Sequence, residues 1–129
     1  MELTTNNTPS YLHAVASGEF VLRNAEEQFM DLLDSVVDTG ADRVLLDGRQ
    51  VTGNLDVLDR YVYGEFVALA AARLPKNVVP TPPKFAYVLT HPVLDPDRLG
   101  ETVARNRGMS LRAFDNKDEA LEWLVSEDR

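Results

Sequence analysis

The chain has 129 residues, of which 21 are acidic and 13 basic, so its formal net charge is −8 with histidine neutral. An acidic chain of this length has the size of one domain and is repelled by nucleic acid and by anionic membranes, so we expect neither as a partner. The absence of cysteine excludes thiol catalysis, thiolate metal sites and disulfides, as is typical of cytoplasmic proteins. No apolar run approaches the roughly 18 residues that a membrane span needs.

The first part of the chain predicts a leader and a hairpin. Residues 1–10 are polar, which predicts a flexible leader before a single domain at residues 11–126. Two β-rich segments, residues 11–16 and 19–22, are separated by Ser17-Gly18, and this pattern predicts an antiparallel β-hairpin.

Two helices and an internal strand are predicted next. We expect the first helix to begin at Asn24, because Glu27 follows three residues later as in a capping box, and to end at Gly40. Residues 43–48 are a short continuous apolar run, which is typical of a strand covered on both faces in a parallel sheet. A second helix with many apolar residues is predicted at residues 56–73.

The rest of the chain repeats the strand–helix alternation. Residues 84–90 predict a buried strand, and Asp95 followed by proline predicts a helix start. Residues 110–114 predict a last strand, and Asn116 is predicted to cap the final helix. The order predicts an α/β fold with a mixed five-stranded sheet, in which the N-terminal antiparallel hairpin precedes a parallel βαβαβα arrangement.

Three segments resemble a known family. They are RVLLDGRQVTG at residues 43–53, FAYVLTHP at residues 85–92 and RAFDNKDEALEWL at residues 112–124. The order of elements and these segments resemble the STAS domain of anti-sigma-factor antagonists, and more closely the SpoIIAA-like group of small stand-alone proteins. The resemblance implies that fold and a non-enzymatic regulatory module whose partners are other proteins.

The same resemblance implies a phosphorylation switch. In STAS domains a serine or threonine near the start of the second helix is phosphorylated by a partner kinase. Thr52 is the hydroxyl residue in the corresponding segment, residues 51–54, and is the candidate phosphosite. The Asp-Ser-Ser-Gly pattern of those domains is absent here.

A ligand site is predicted at the carboxyl ends of the central strands, where open α/β sheets bind their ligands. The candidate residues are Asp47, Arg49, Thr52, Asn54, Thr90 and His91. Free amides at the helix start near Thr52 and Asn54 favour an anion, with Arg49 as its counter-charge. The alternative is that Asn54 or Asp56 caps the helix and that Arg49 is solvated.

Catalysis and metal binding have weaker support. Asp47 and His91 suggest a hydrolase-like acid–base pair, because a histidine beside a carboxylate is a usable general base. The chain has neither a serine in a Gly-x-Ser-x-Gly motif nor a cysteine that could act as a nucleophile. We therefore expect that the protein is not an enzyme. Its two histidines, His13 and His91, lack metal-ligand spacing, and we predict no metal and no cofactor.

The second helix has more apolar surface than one sheet face requires. The candidate interface residues are Leu58, Tyr61, Val62, Phe66 and Leu69. Another helix, a ligand or a second subunit would cover this surplus. The leading prediction is a regulatory, protein-binding domain that forms a homodimer through this helix. The alternative is a carrier or sensor of a small apolar or anionic ligand, with its pocket at the strand carboxyl ends.

Overall fold

The computed structural model describes residues 1–127. Its strands are β1 (Glu2–Asn7), β2 (Leu12–Glu19), β3 (Arg43–Thr52), β4 (Lys84–Val88) and β5 (Leu111–Phe114). Its helices are α1 (Leu22–Thr39), α2 (Val57–Ala72), α3 (Leu99–Asn106) and α4 (Lys117–Val125).

The five strands form one mixed sheet in the order β1-β2-β3-β4-β5. Strand β1 pairs antiparallel with β2, and every other neighbouring pair is parallel. This arrangement confirms the predicted fold class, an N-terminal hairpin followed by parallel βαβαβα.

The helices cover the two faces of the sheet unequally. Helices α1, α2 and α3 pack on one face, where Phe29 and Val67 lie among the apolar side chains of the strands. Helix α4 packs on the opposite face, over Leu45 and Ala86. Strand β4 is buried at all five of its positions, as its continuous apolar sequence predicts for a strand covered on both faces.

The N-terminal hairpin differs from the prediction. Residues 2–7, expected to be part of a flexible leader, form β1, and residues 12–19 form the single strand β2 instead of two. The chain reverses before Tyr11, where the Thr8 amide and hydroxyl both donate to the Tyr11 carbonyl, at 2.9 and 2.7 Å. Ser17-Gly18 instead lies within β2, just after the register against β3 shifts between Val15 and Ser17, and Gly18 has a φ of +103°. Strand β1 is polar because it is an edge strand, exposed at five of its six positions.

Two helix starts also differ from the prediction. Helix α1 begins at Leu22, two residues before Asn24, and has no side-chain cap. Helix α3 begins at Leu99, although Asp95 still accepts a hydrogen bond from the Leu99 amide at 3.2 Å through its Oδ2. The predicted cap of α4 is correct, because Asn116 Oδ1 accepts from the Glu119 amide at 3.0 Å.

A buried lysine anchors α4 to the sheet. Lys84 is 1% exposed at the start of β4, and its Nζ donates to the carbonyl oxygens of Trp123 at 2.6 Å and Ser126 at 3.1 Å. The Trp123 carbonyl is in the last turn of α4 and Ser126 is its C-cap, and the helix dipole favours a cation at this end. The ammonium group therefore compensates for its burial by satisfying the end of the helix.

Candidate functional site

Asp47 and Arg49 form an ion pair with each other. The Arg49 Nε donates to Asp47 Oδ1 at 2.9 Å, and Nη2 donates to Oδ2 at 2.7 Å. The Arg49 amide adds a third bond to Oδ1 at 3.2 Å. Hydrogen bonding from the Arg49 side chain holds the pKa of the Asp47 carboxyl below its ordinary value. Asp47 is thus an ionised salt-bridge partner, and Arg49 already has a counter-charge of its own.

The other four predicted ligand residues do not converge with this pair. Thr52, Asn54, Thr90 and His91 are all exposed. Asp56, not Asn54, caps α2, since its Oδ1 accepts from the Asp59 amide at 2.7 Å.

The predicted Asp47–His91 pair is not formed. No hydrogen bond or ion pair joins His91 to another residue within the part of the chain that is described. The Asp47 carboxylate is instead occupied by Arg49, and the hydrolase-like prediction has no geometry to support it.

The outer face of α2 is apolar and exposed. Of the predicted interface residues, Leu58 is 68% exposed, Leu69 51% and Tyr61 41%. Val62 and Phe66 are half-buried, and Phe66 packs against the core of the domain. Val57, which is not one of the predicted interface residues, is 71% exposed on the same helix. These exposed residues leave one apolar side of α2 facing solvent.

A polar contact interrupts this face. Arg107, just after α3, donates from Nη2 to Glu65 Oε2 at 2.7 Å and to the Tyr61 hydroxyl at 3.1 Å. Its guanidinium also lies 5.5 Å from the centre of the Tyr61 ring. These contacts tie α3 to α2 and hold Tyr61 in place beside the exposed leucines.

An apolar cavity, which was not predicted from the sequence, lies between the sheet and the three helices on its first face. Its volume is about 120 Å³. Each strand contributes at least one wall residue, among them Leu3, Ala16, Leu46, Tyr87 and Ala113. The helices contribute others, among them Phe29, Tyr63, Val67 and Gly100. No histidine, lysine, serine or threonine is among the wall residues in the described part of the chain.

Two tyrosines of this cavity wall, which also includes Gln28, meet through their hydroxyls. Tyr63 of α2 and Tyr87 of β4 face each other with their hydroxyl oxygens 2.8 Å apart. Burial raises the pKa of Tyr63 to about 12 and that of Tyr87 well above its ordinary value. Both hydroxyls therefore stay protonated at neutral pH, and the pair is uncharged.

The charged residues of the cavity wall are already paired. Arg60 Nη1 lies 3.3 Å from Asp95 Oδ1, and Arg98 Nη1 lies 3.8 Å from Glu101 Oε2. Arg60 also donates to the carbonyl oxygen of Pro92 at 2.9 Å. The two cations and two anions balance, so the wall offers no spare charge to a ligand.

The sequence contains a partial signal for this cavity. Tyr61 and Tyr63 are two residues apart on α2, so they must face different sides of the helix. Only Tyr61 is exposed, and Tyr63 turns inward towards Tyr87. A tyrosine on the inner side of a helix needs a hydrogen-bond partner, and that requirement predicts a polar atom within the core.

Within residues 1–127, no helix is both long and apolar enough to cross a bilayer. The same residues contain no cluster of three or more side chains that could hold a metal ion.

Among solved structures of similar fold are the two that follow. The first is an anti-sigma factor antagonist from Mycobacterium paratuberculosis, with a TM-score of 0.59 and 16% sequence identity over 97% of this chain and 96% of that one. The second is an uncharacterised protein with a SpoIIAA-like fold from Shewanella loihica, with a TM-score of 0.54 and 19% identity over 95% and 92% of the two chains. No protein-family model and no curated protein matches the sequence. The chain has a STAS-like, SpoIIAA-like fold.

Proposed function

We propose that this chain is a non-enzymatic regulatory domain that acts by binding another protein, and that it forms a homodimer through the outer face of α2. The observation that carries the proposal is the set of exposed apolar side chains on one side of that helix, Val57, Leu58 and Leu69. Large apolar residues exposed side by side on one face are typical of an interaction surface. The similar fold of a protein described as an anti-sigma factor antagonist supports a regulatory role.

The centre of this proposed interface is formed by Leu58, Tyr61 and Leu69, which are 68%, 41% and 51% exposed. Leu58 and Tyr61 lie three residues apart, and Leu69 lies eight residues beyond Tyr61, so all three fall on one side of the helix. A second copy would bury the two leucines and keep the Tyr61 hydroxyl with Arg107. Val62 and Phe66, which are half-buried, would form the edge of the contact next to the core.

The test is static light scattering over a concentration series up to the high micromolar range. We expect the mass of a dimer for the natural chain and that of a monomer for Leu58→Glu/Leu69→Glu. The matched control is Val125→Glu on α4, which adds a charge at a residue that is 47% exposed but far along the chain from α2. A strict monomer at the highest concentration, or an unchanged dimer in the double variant, would contradict the proposed homodimer.

Thr52 is the proposed site of a phosphoryl switch on this interaction. Its side chain is exposed at the end of β3, four residues before the cap of α2 at Asp56. A phosphate there would add about two negative charges beside a helix start that already carries Asp56 and Asp59. We expect Thr52→Glu to weaken self-association in the same light-scattering series, while Thr52→Ala leaves it unchanged. Equal behaviour of the two variants would contradict the switch.

A second candidate function is that of a small-ligand carrier or sensor, and the observation that favours it is the apolar cavity. The cavity is lined by residues from both halves of the strands, Leu46 and Leu111 among them, and none of the six candidate ligand residues lines it. A thermal-shift screen tests this function, because a ligand at 100 times its Kd stabilises the fold by about 2.7 kcal/mol. Midpoints that stay constant across apolar, anionic and nucleotide compounds would contradict it.

A further inference from the structure

A second pocket lies at the end of the sheet where β4 and β5 begin. Its volume is about 530 Å³, which is within the range of roughly 300–1,000 Å³ that is typical of small-molecule sites. Its lining comes from the segments before the two strands and from the last turns of α3 and α4, and includes Pro82, Ser110, Arg105 and Trp123. Leu111 is the one lining residue that this pocket shares with the apolar cavity in the described part of the chain.

The charged residues of this pocket are cations. Arg105 and Arg112 line it, and no acidic residue does within residues 1–127, although acidic residues outnumber basic ones by 21 to 13 in the whole chain. This basic pocket therefore attracts anions locally, on a protein whose net charge repels them.

Arg112 has no counter-charge among the described residues. Its guanidinium lies 5.6 Å from the centre of the Phe114 ring and 5.7 Å from that of the Trp123 ring. Within residues 1–127, its side chain makes no ion pair and no hydrogen bond. The two rings hold the guanidinium in place, and its N–H groups have no acceptor on these residues. A planar guanidinium in this state is suited to bind two oxygens of one anion at once.

Arg105 shares its counter-charge with another arginine. Its Nη1 lies 3.6 Å from Glu101 Oε1, while Arg98 Nη1 lies 3.8 Å from Glu101 Oε2. One carboxylate thus faces two guanidinium groups. The Arg105 side chain is 55% exposed, and an exposed pair of this length is weak. The charge of Arg105 therefore remains available to an anion in the pocket.

The helix ends oppose anion binding, but the cations outweigh them among the described residues. The C-terminal ends of α3 and α4 each carry about half a negative charge. The buried Lys84 ammonium, which donates to the Trp123 carbonyl at 2.6 Å, offsets the charge at the end of α4. The charge of Glu101 is divided between two arginines, and Arg112 has no opposing group, so the balance around the pocket stays positive.

The rest of the lining suits an organic group beside an oxyanion. Pro82, Met109 and the Trp123 ring are apolar. Thr81 and Ser110 add hydroxyl groups, and that of Ser110 is buried without a hydrogen-bond partner within residues 1–127. An anionic oxygen in the pocket would be an acceptor for a hydroxyl that turns towards it.

We infer that the basic pocket binds a small organic phosphate, which is a phosphate monoester with a compact apolar group. Arg112 would bind two of the phosphate oxygens, and Arg105 would balance the second charge. The apolar group would lie against Met109 and the Trp123 ring. A monoester is favoured over a carboxylate because it carries between one and two negative charges more than a neutral group at pH 7 and is nearly a dianion, which matches two arginines. The inference goes beyond both proposed functions, since it depends neither on the outer face of α2 nor on the apolar cavity.

The test is an NMR titration of the full chain at pH 7.5 with three probes. Phenyl phosphate has a ring and two negative charges, phenyl sulfate has a similar shape and one charge, and inorganic phosphate has no ring. Trp123 is the single tryptophan of the chain, so its indole N–H signal reports binding at this pocket.

We expect phenyl phosphate to shift the Trp123 signal and to bind about 2- to 5-fold more tightly than phenyl sulfate, the range for one additional exposed ion pair. Inorganic phosphate should bind more weakly than phenyl phosphate, because it lacks the group that contacts the apolar lining. Arg105→Met should reduce the preference for phenyl phosphate over phenyl sulfate.

Three further variants locate the effect. Arg112→Met removes the guanidinium and should weaken phenyl phosphate binding by at least about 10-fold, as for a hydrogen bond between charged groups. Arg112→Lys keeps the charge without the planar fork and should recover only part of this loss. Arg23→Met is the matched control. It removes an exposed arginine at the start of α1, which follows the carboxyl end of β2 and so lies at the opposite end of the sheet, and it should leave the affinity nearly unchanged.

Several results would overturn the inference. They are an unshifted Trp123 signal at millimolar phenyl phosphate, equal binding of phenyl phosphate and phenyl sulfate, equal binding of phenyl phosphate and inorganic phosphate, or equal weakening by Arg112→Met and Arg23→Met. If Arg112→Met does not fold, the three affinities of the natural chain and of Arg112→Lys still decide between these outcomes. Light scattering reports the dimer separately, so a monomer that binds phenyl phosphate contradicts the proposed interface and supports the basic pocket.

Discussion

Gly64 of α2 lies against Gly100 of α3 at a separation that excludes any larger side chain. A Cβ atom built on Gly64 would be 2.5 Å from the Gly100 carbonyl oxygen and 3.1 Å from the Val103 Cβ. The two helices therefore cross with their backbones in contact. Both glycines are also part of the cavity wall, so this crossing fixes how closely α3 lies against the cavity.

We predict that Gly64→Ala lowers the free energy of unfolding by about 1–3 kcal/mol, because the added methyl group must push two packed backbones apart. Glycine to alanine inside a helix otherwise adds about 0.5–1 kcal/mol of stability. Urea unfolding measures the difference. Gly100→Ala is the control, since its Cβ would meet its nearest atom, the Arg60 carbonyl oxygen, at 3.3 Å, and we expect a smaller loss. A Gly64→Ala variant as stable as the natural chain would contradict the close crossing.

The two asparagines predicted as helix caps should respond differently to substitution. Asn116 caps α4 by accepting from the Glu119 amide, so Asn116→Ala should cost about 1 kcal/mol of stability. Asn24 lies within the first turn of α1, exposed and without a capping bond. Asn24→Ala should therefore be neutral or slightly stabilising, since alanine is the better helix former. Equal losses at the two positions, measured by thermal unfolding, would contradict this assignment of the caps.

The contrast between these asparagines shows how far the sequence predicts the fold. Asn116 follows the turn that ends β5, so its capping signal coincides with the true boundary, whereas at Asn24 an earlier start of α1 overrides the same signal. The buried strand β4 is predictable because a short, continuous apolar run is typical of a strand covered on both faces. The edge strand β1 is not, because an exposed strand needs no apolar pattern, and its pairing with β2 is a tertiary property.

The candidate site is less predictable than the fold. Asp47 and Arg49 are two residues apart on one strand, and the sequence does not show that they bind each other instead of a ligand. The cavity depends on Tyr63 and Tyr87, which are 24 positions apart and meet only once α2 is packed on the sheet. Sequence patterns locate the carboxyl ends of strands, but they do not show on which face of the sheet the helices leave a cavity.

The Asp47–Arg49 pair predicts a pH-dependent stability. Because the pKa of Asp47 is lowered in the folded chain, its ion pair stabilises the fold at pH values above the ordinary carboxyl pKa of 3.8. This contribution is lost as the pH falls through the lowered pKa. We expect Asp47→Asn to be less stable than the natural chain at pH 7, and the difference to shrink below pH 3.8.

Arg49→Met provides the matched comparison for this prediction, because it removes the partner and keeps the carboxylate. Both single variants and the double variant are unfolded with urea between pH 3 and pH 7. The comparison separates the stability that comes from the ion pair from the stability that each residue contributes alone. At pH 7 each variant should have a lower free energy of unfolding than the natural chain. We expect the losses of the two single variants to sum to more than the loss of the double variant. Additive losses, or a difference for Asp47→Asn that does not change with pH, would show that the pair does not stabilise the fold.

Arg60 joins α2 to the segment between β4 and α3, and its removal should loosen that segment. Its guanidinium donates to the Pro92 carbonyl at 2.9 Å and pairs with Asp95 at 3.3 Å, while its side chain is only 11% exposed. Arg60→Met leaves these acceptors without their donor, so we expect a loss of about 1–3 kcal/mol. Amides of residues 93–95 should also exchange with solvent faster than in the natural chain.

The geometry of the guanidinium, beyond its charge, accounts for this effect. Arg60→Lys keeps the charge, but a single ammonium group cannot reproduce a planar fork that reaches two acceptors at once. We therefore expect Arg60→Lys to recover less than half of the lost stability. Arg105→Met is the control, because its 3.6 Å ion pair with Glu101 is on a side chain that is 55% exposed, and exposed pairs contribute less than about 1 kcal/mol. Full recovery by lysine would mean that charge alone holds the segment, and unchanged amide exchange in Arg60→Met would mean that Arg60 does not hold it.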